Sequence, residues 1–194
     1  PSSVTNIGNS AFEDCTSLEK FTIPSSISII YSALFKGCTS LKEITIPLSI
    51  KNIENSAFHG CTSLREITIP HSIGSIRTCT FCGFKSLKEI KIPSSVTSIG
   101  SSAFNGCTSL KEIKIPSSVK SIDSFAFNGC YSLTEVTFSS STISFGDHTF
   151  GGIRSLKFLG KLKTIPKNLF KSCTSLNELI IESPITTIEA FAFD

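Results

Sequence analysis

Apolar and polar positions alternate along this chain in an order that keeps returning. Phe12, Phe35, Phe58, Phe81, Phe104, Phe127 and Phe150 lie 23 residues apart, Phe170 follows after 20 and Phe193 after another 23. A leucine stands six residues after the phenylalanine, from Leu18 through Leu110 to Leu176, each preceded by serine. Cysteine stands three after it at Cys15, Cys38, Cys61, Cys107, Cys130 and Cys173. Glycine stands two after it at Gly37, Gly60, Gly83, Gly106, Gly129 and Gly152, which predicts a positive backbone dihedral there. After the leucine comes a short alternating run such as Leu41-Lys42-Glu43-Ile44-Thr45-Ile46. Its period of two predicts a strand with Ile44 and Ile46 inward and Glu43 and Thr45 outward. Proline closes that run at Pro24, Pro47, Pro70, Pro93 and Pro116, because a residue without an amide hydrogen cannot continue a ladder. A serine-rich turn, a second extended piece such as Val96–Ile99 and a tight helical turn at Ala103–Gly106 complete the unit.

A unit of 23 residues cannot bury these side chains alone, so neighbouring units must cover one another. The expected architecture is one continuous solenoid of about eight repeats over residues 1–194, with parallel strands stacked at about 4.8 Å. The chain begins at Pro1 and ends one residue after Phe193. Such ends would expose core without polar caps, so a fragment of a longer protein with its caps missing is expected.

The Leu-x-x-Ile-x-Ile pieces at Leu41–Ile46, Leu64–Ile69, Leu87–Ile92 and Leu110–Ile115 resemble the strand part of leucine-rich repeats. The pattern Ile-Pro-Ser-Ser-Val-x-Ser-Ile-x-Ser-x-Ala-Phe-Asn-Gly-Cys-x-Ser-Leu at 92–110, closely repeated at 115–133, is similar to the BspA-like subclass. The asparagine or cysteine that usually follows the strand is absent, with Ile50, Ile73 and Val96 in its place. The resemblance implies a right-handed leucine-rich-repeat coil, mostly β with short helical turns, its parallel strands on the concave face. It also implies a protein-binding module of the kind found on bacterial and protozoan cell surfaces, where several members act as adhesins for host proteins. An intracellular scaffold or regulatory subunit that docks an enzyme is the alternative.

Charge and chemistry narrow this little. The net charge of +3 is dispersed, which argues against a nucleic-acid surface. No apolar stretch reaches the length of a membrane span, so no direct membrane insertion is expected of this segment. Six of the eight cysteines form one inward column, and parallel side chains one coil apart have the wrong geometry for disulfides, so they read as small buried hydrophobes. Cys79 and Cys82 flank Phe81 outside that column, and Phe84 takes the ladder cysteine's place. Two accessible thiols, a local disulfide, or a redox or metal site are the readings open to them. His59, His71 and His148 occupy different columns that the repeat predicts to be exposed, and no nucleophile elbow or phosphate loop is present. No enzyme activity, cofactor or metal is expected.

The candidate binding site is the outward face of the strands: Glu43, Thr45, Glu66, Thr68, Glu89, Lys91, Glu112, Lys114, Glu135 and Thr137. Counting in steps of 23 extends its two columns to Phe158 and Gly160. The in-register glutamates should repel, relieved in part by Lys42, Arg65, Lys88, Lys111 and Lys157 beside them. A docking face for a host matrix or surface protein, or for an intracellular enzyme, is one reading; a charged face that merely keeps a duplicated coil soluble is the other. A carboxylate ladder also offers oxygen to Ca²⁺, but a flat sheet lacks an encircling loop. The stretch from Phe138 to Lys163 is irregular, and its three-residue deletion near Gly160 should shorten or bend the sheet.

Overall fold

The computed structural model describes residues 3–171 and 173–194. The chain winds as a parallel-strand β-solenoid. Each turn contributes a strand on one side, a shorter strand on a second side, and a phenylalanine-bearing turn between them. The first side holds β1 (Lys20–Thr22), β3 (Glu43–Thr45), β7 (Glu112–Ile115), β9 (Glu135–Phe138), β11 (Ser155–Gly160) and β13 (Glu178–Glu182). The second holds β2 (Ile29–Ile30), β4 (Asn52–Ile53), β5 (Ser75–Ile76), β6 (Ser98–Ile99), β8 (Ser121–Ile122), β10 (Ser144–Phe145), β12 (Thr164–Ile165) and β14 (Thr187–Ile188). Every pairing is parallel and joins equivalent positions of successive coils, as in Lys20 with Glu43 and Ser98 with Ser121.

The phenylalanine column is a continuous stack. Phe12, Phe35 and Phe58 follow at 5.4 and 5.5 Å with planes within 4°, and Phe104 lies over Phe127 at 5.3 Å. Around it one buried cluster runs from Ile23 to Ala192, with the leucine, isoleucine, alanine and ladder-cysteine columns inside it. The cysteine column has a polar reason as well as an apolar one. Cys38, Cys61, Cys107, Cys130 and Cys173 each donate the thiol hydrogen to a phenylalanine carbonyl of the preceding coil, at 3.0–3.3 Å. A small side chain with a weak donor fills the space and satisfies a carbonyl together.

The described residues contain no helix, so the segment expected as a short helical turn is a run of hydrogen-bonded turns instead. Its backbone alternates. Phe35 N–H reaches forward to Ala57 O at 2.8 Å and Gly37 N–H to His59 O at 2.7 Å, while the amides between them close local turns. That alternation needs left-handed residues. The glycine column supplies one, with φ of 71–79° from Gly37 to Gly152. A second lies two residues before each phenylalanine and holds no glycine: Ser10, Ala33, Ser56, Cys79, Ser102, Phe125, His148, Asn168 and Phe191 all have φ of 54–61°.

Of the shortening or bending expected at the deletion, the shortening does not occur: β11 spans six residues and pairs on both sides. Losing one residue between Leu156 and the next inward side chain pulls the Leu-x-x-Ile bend straight and makes the leucine part of the strand. The register moves with it: Lys157, not Phe158, pairs with Glu135, and Phe158 pairs with Val136. Phe158 is therefore fully buried rather than on the outward face. Gly160 closes the pairing against Phe138. On the other side the second sheet breaks between β10 and β12. Pro166 stands where Asp123, Gly146 and Glu189 donate to the preceding coil, and it has no hydrogen to give.

Candidate docking face

The strand face is not uniform. Its ladder is complete from β7 to β13 and between β1 and β3, but residues 64–70 make no backbone hydrogen bond to 41–47 or to 87–93. Lys111 N–H to Lys88 O at 3.2 Å is the first bond to resume it. The second-side ladder is also open between β4 and β5. The turn-side ladder continues unbroken through the same coils, with Phe58 N–H on Thr80 O and Phe81 N–H on Ala103 O. The coils are thus hinged apart on the strand side and held on the turn side.

A local cause is visible. Phe84 replaces a ladder cysteine, is fully buried, and meets Phe81 edge-on at 5.6 Å. The extra ring widens the stack, and Phe58–Phe81 is its longest spacing at 6.2 Å. An added large side chain in a packed core shifts backbone rather than compressing its neighbours. Phe84 also has no hydrogen to offer the Phe58 carbonyl, so one tie between the coils is lost. Ile67 and Ile90 retain 8% and 7% exposure, against 3% for Ile113 in the closed part of the sheet.

Over this opening lies an open trough of about 760 Å³. It is lined by Glu66, Thr68, Glu89, Lys91, Glu112 and Lys114 at its centre and by Glu135 and Thr137 at one end, over a floor of Ile44, Ile67, Ile90 and Ile113. Glu43 and Thr45 continue the same columns at the other end. The structure thus brings all ten candidate residues onto one outward face, with Glu135 and Thr137 half-buried and the rest exposed.

The expected charge relief is partial. Lys42 pairs with Glu19 at 2.9 Å, Lys20 with Glu43 at 2.9 Å, and Lys157 with Glu182 at 2.9 Å. Glu66, Glu89, Glu112 and Glu135 have no ion-pair partner among the described residues, and neither do Arg65, Lys88 and Lys111. Four carboxylates in adjacent coils therefore face the trough without a direct ion pair, with Lys91 and Lys114 on the same face. Like charges in register weaken the ladder without preventing it, since Glu112 and Glu135 pair within its closed part.

Other singled-out residues lie elsewhere. His71 is exposed, whereas His59 and His148 are half-buried. Burial, helped by the Lys36 charge, holds His59 below its ordinary range. His148 stacks on Phe125 at 4.8 Å and donates from Nδ1 to Lys171 O at 3.1 Å. That pair escaped the sequence because the left-handed column carrying it has no glycine to mark it. Cys79 and Cys82 are both half-buried free thiols on the turn side, well away from the strand face.

A stack of parallel strands with an inward leucine column defines a leucine-rich-repeat solenoid, a fold typically used for protein interaction rather than catalysis. The model of the BspA type leucine rich repeat region, six copies, matches residues 1–110 and 74–194, and the chain belongs to that family. Solved structures agree. A leucine rich repeat protein of Treponema pallidum is 34% identical, with a TM-score of 0.69 over 78% of this chain and 73% of that one. A leucine-rich repeat protein of Bacteroides ovatus is 25% identical, with a TM-score of 0.56 over 97% of this chain and 61% of the other. A leucine rich cell surface protein of Faecalibacterium prausnitzii is 27% identical, with a TM-score of 0.56 over all of this chain and 68% of that one. No curated protein matches. Among the described residues no helix is long and apolar enough to cross a membrane.

Proposed function

We propose that this chain is an adhesin-type module that works at a cell surface and docks a protein partner in the strand-side trough. The observation that carries the reading is the coincidence of three features on one face. The ladder is open at residues 64–70, isoleucines underlie the opening, and Glu66, Glu89 and Glu112 stand there without ion-pair partners. A sheet that closes its ladder and pairs its charges has little left to offer a partner. This one leaves backbone groups, apolar floor and charged side chains free of direct ion pairs together, the mixture that gives interfaces both affinity and selection. Glu43, Thr45, Lys91, Lys114, Glu135 and Thr137 form its ends and rim. The surface assignment draws on the Faecalibacterium relative, which is described as a cell surface protein.

The test is charge reversal at the centre, with Glu66, Glu89 and Glu112 all changed to lysine. Binding to a panel of purified extracellular-matrix proteins, with a cell lysate as the intracellular arm, is then compared with the parent protein. Loss of at least about tenfold in affinity for a matrix protein, at unchanged far-ultraviolet circular dichroism, is expected from removing several interfacial charges. Undiminished matrix binding rejects the trough. Capture of a cytosolic enzyme with no matrix binding favours an intracellular scaffold and rejects the surface role.

A further inference from the structure

Cys79 and Cys82 have no part in the docking face, and their surroundings differ from those of the other thiols. Five ladder cysteines turn inward and are tied to a phenylalanine carbonyl of the coil before. Cys79 and Cys82 donate to no carbonyl, and both remain partly open to solvent. They stand at the two ends of one four-residue turn, closed by Cys82 N–H to Cys79 O at 3.2 Å. The ends of such a turn lie less than about 7 Å apart at Cα, within the span a disulfide bridges. Burial pushes the Cys82 thiol up, and the Cys79 and Cys107 thiols add to that push. Ladder neighbours such as Cys107 and Cys130 are also close, but their parallel side chains are each engaged with a carbonyl.

We propose that Cys79 and Cys82 form a redox-active dithiol that closes to an intramolecular disulfide by exchange with a low-molecular-weight disulfide. Cys79, at the half-buried left-handed position, attacks as the thiolate. One sulfur of the external disulfide joins Cys79, and the other leaves as a thiolate that takes up a proton. Cys82, having lost its own proton to solvent, attacks the mixed disulfide at the Cys79 sulfur and expels the second external thiol. Two protein thiols are oxidised and one external disulfide is reduced to two thiols. The link ties the turn of the coil whose core carries Phe84, next to the coil whose strand-side ladder is open. The pair is shut in an oxidising compartment and open in a reducing one.

The repeat itself supplies variants that fold. Ser56 and Ser102 hold the Cys79 column in the adjacent coils, and Asn105 and Asn128 hold the Cys82 column in the two coils that follow. The full chain is equilibrated in glutathione buffers of increasing oxidised fraction, alkylated, digested and mapped by mass spectrometry. The expected result is loss of two hydrogens in the peptide joining Cys79 to Cys82, reversed by reductant, while Cys38, Cys61, Cys107 and Cys130 stay alkylatable after unfolding. C79S and C82N abolish that species and leave circular dichroism unchanged. Stable glutathione adducts without closure, bridges among ladder cysteines, or no oxidation of the pair at any buffer ratio each overturn the proposal.

Discussion

The phenylalanine column is where single residues decide stability. Phe104 is fully buried and stacks on rings in both neighbouring coils, at 5.4 Å to Phe81 and 5.3 Å to Phe127. Truncation removes contacts on two sides, and the continuous turn-side ladder keeps the cavity from collapsing. Phe104→Ala should cost about 3–5 kcal/mol of unfolding free energy, measured by urea denaturation, and Phe104→Leu clearly less. Columns of this kind were legible in the sequence because a stacked core asks every coil for the same side chain. The second left-handed column was not. Six different residue types satisfy it, so no letter marks it, and with it the Phe125–His148 stack went unseen. The donation of ladder thiols to phenylalanine carbonyls was equally hidden, since the column alone shows a small buried side chain and not its direction.

Elements follow the repeat until a coil changes length. Counting in steps of 23 places Phe158 outward, yet the shortened coil draws Leu156 into β11 and turns Phe158 inward. A one-residue slip exchanges the faces of a strand, so this error was built into any fixed count. Gly160 shows what the shortened coil demands. Its φ is +95°, and an added Cβ would clash with the backbone carbonyl oxygen of Phe138. Gly160→Ala is therefore expected to destabilise by at least about 1–3 kcal/mol. Gly74, with nothing within 4 Å of an added Cβ, is the control; Gly74→Ala should change stability by less than about 1 kcal/mol in either direction. Thermal unfolding of the two variants side by side separates a constrained glycine from a tolerated one. Pro166 follows the same logic: a single residue without a donor was visible in the sequence, but its consequence, a broken second sheet, needed the position of β10.

At the scale of the whole molecule, three ladders run along the stack and only one is continuous. Amides on the turn side point to the next coil, as from Phe35 to Ala57, and amides on the second-strand side point back, as from Lys51 to Ser28. The turn side carries the stack through the coils of Phe58 and Phe81, which frees the strand side to open. The solenoid, its inward columns and the outward strand face were all legible from period and alternation. The opening was not, because Leu64–Ile69 repeats the pattern of Leu41–Ile46 almost letter for letter. The difference comes from Phe84, in a neighbouring coil and on the far side of the core. Hydrogen exchange read by mass spectrometry tests this arrangement most directly, in the parent protein and in F84C, which restores the ladder residue. Amides of residues 65–69 should exchange rapidly while those of Phe58, Gly60, Phe81 and Gly83 stay protected, and F84C should slow the former and leave the latter as they are. Equal protection of strand and turn amides in the parent protein, or no response of residues 65–69 to F84C, would contradict it.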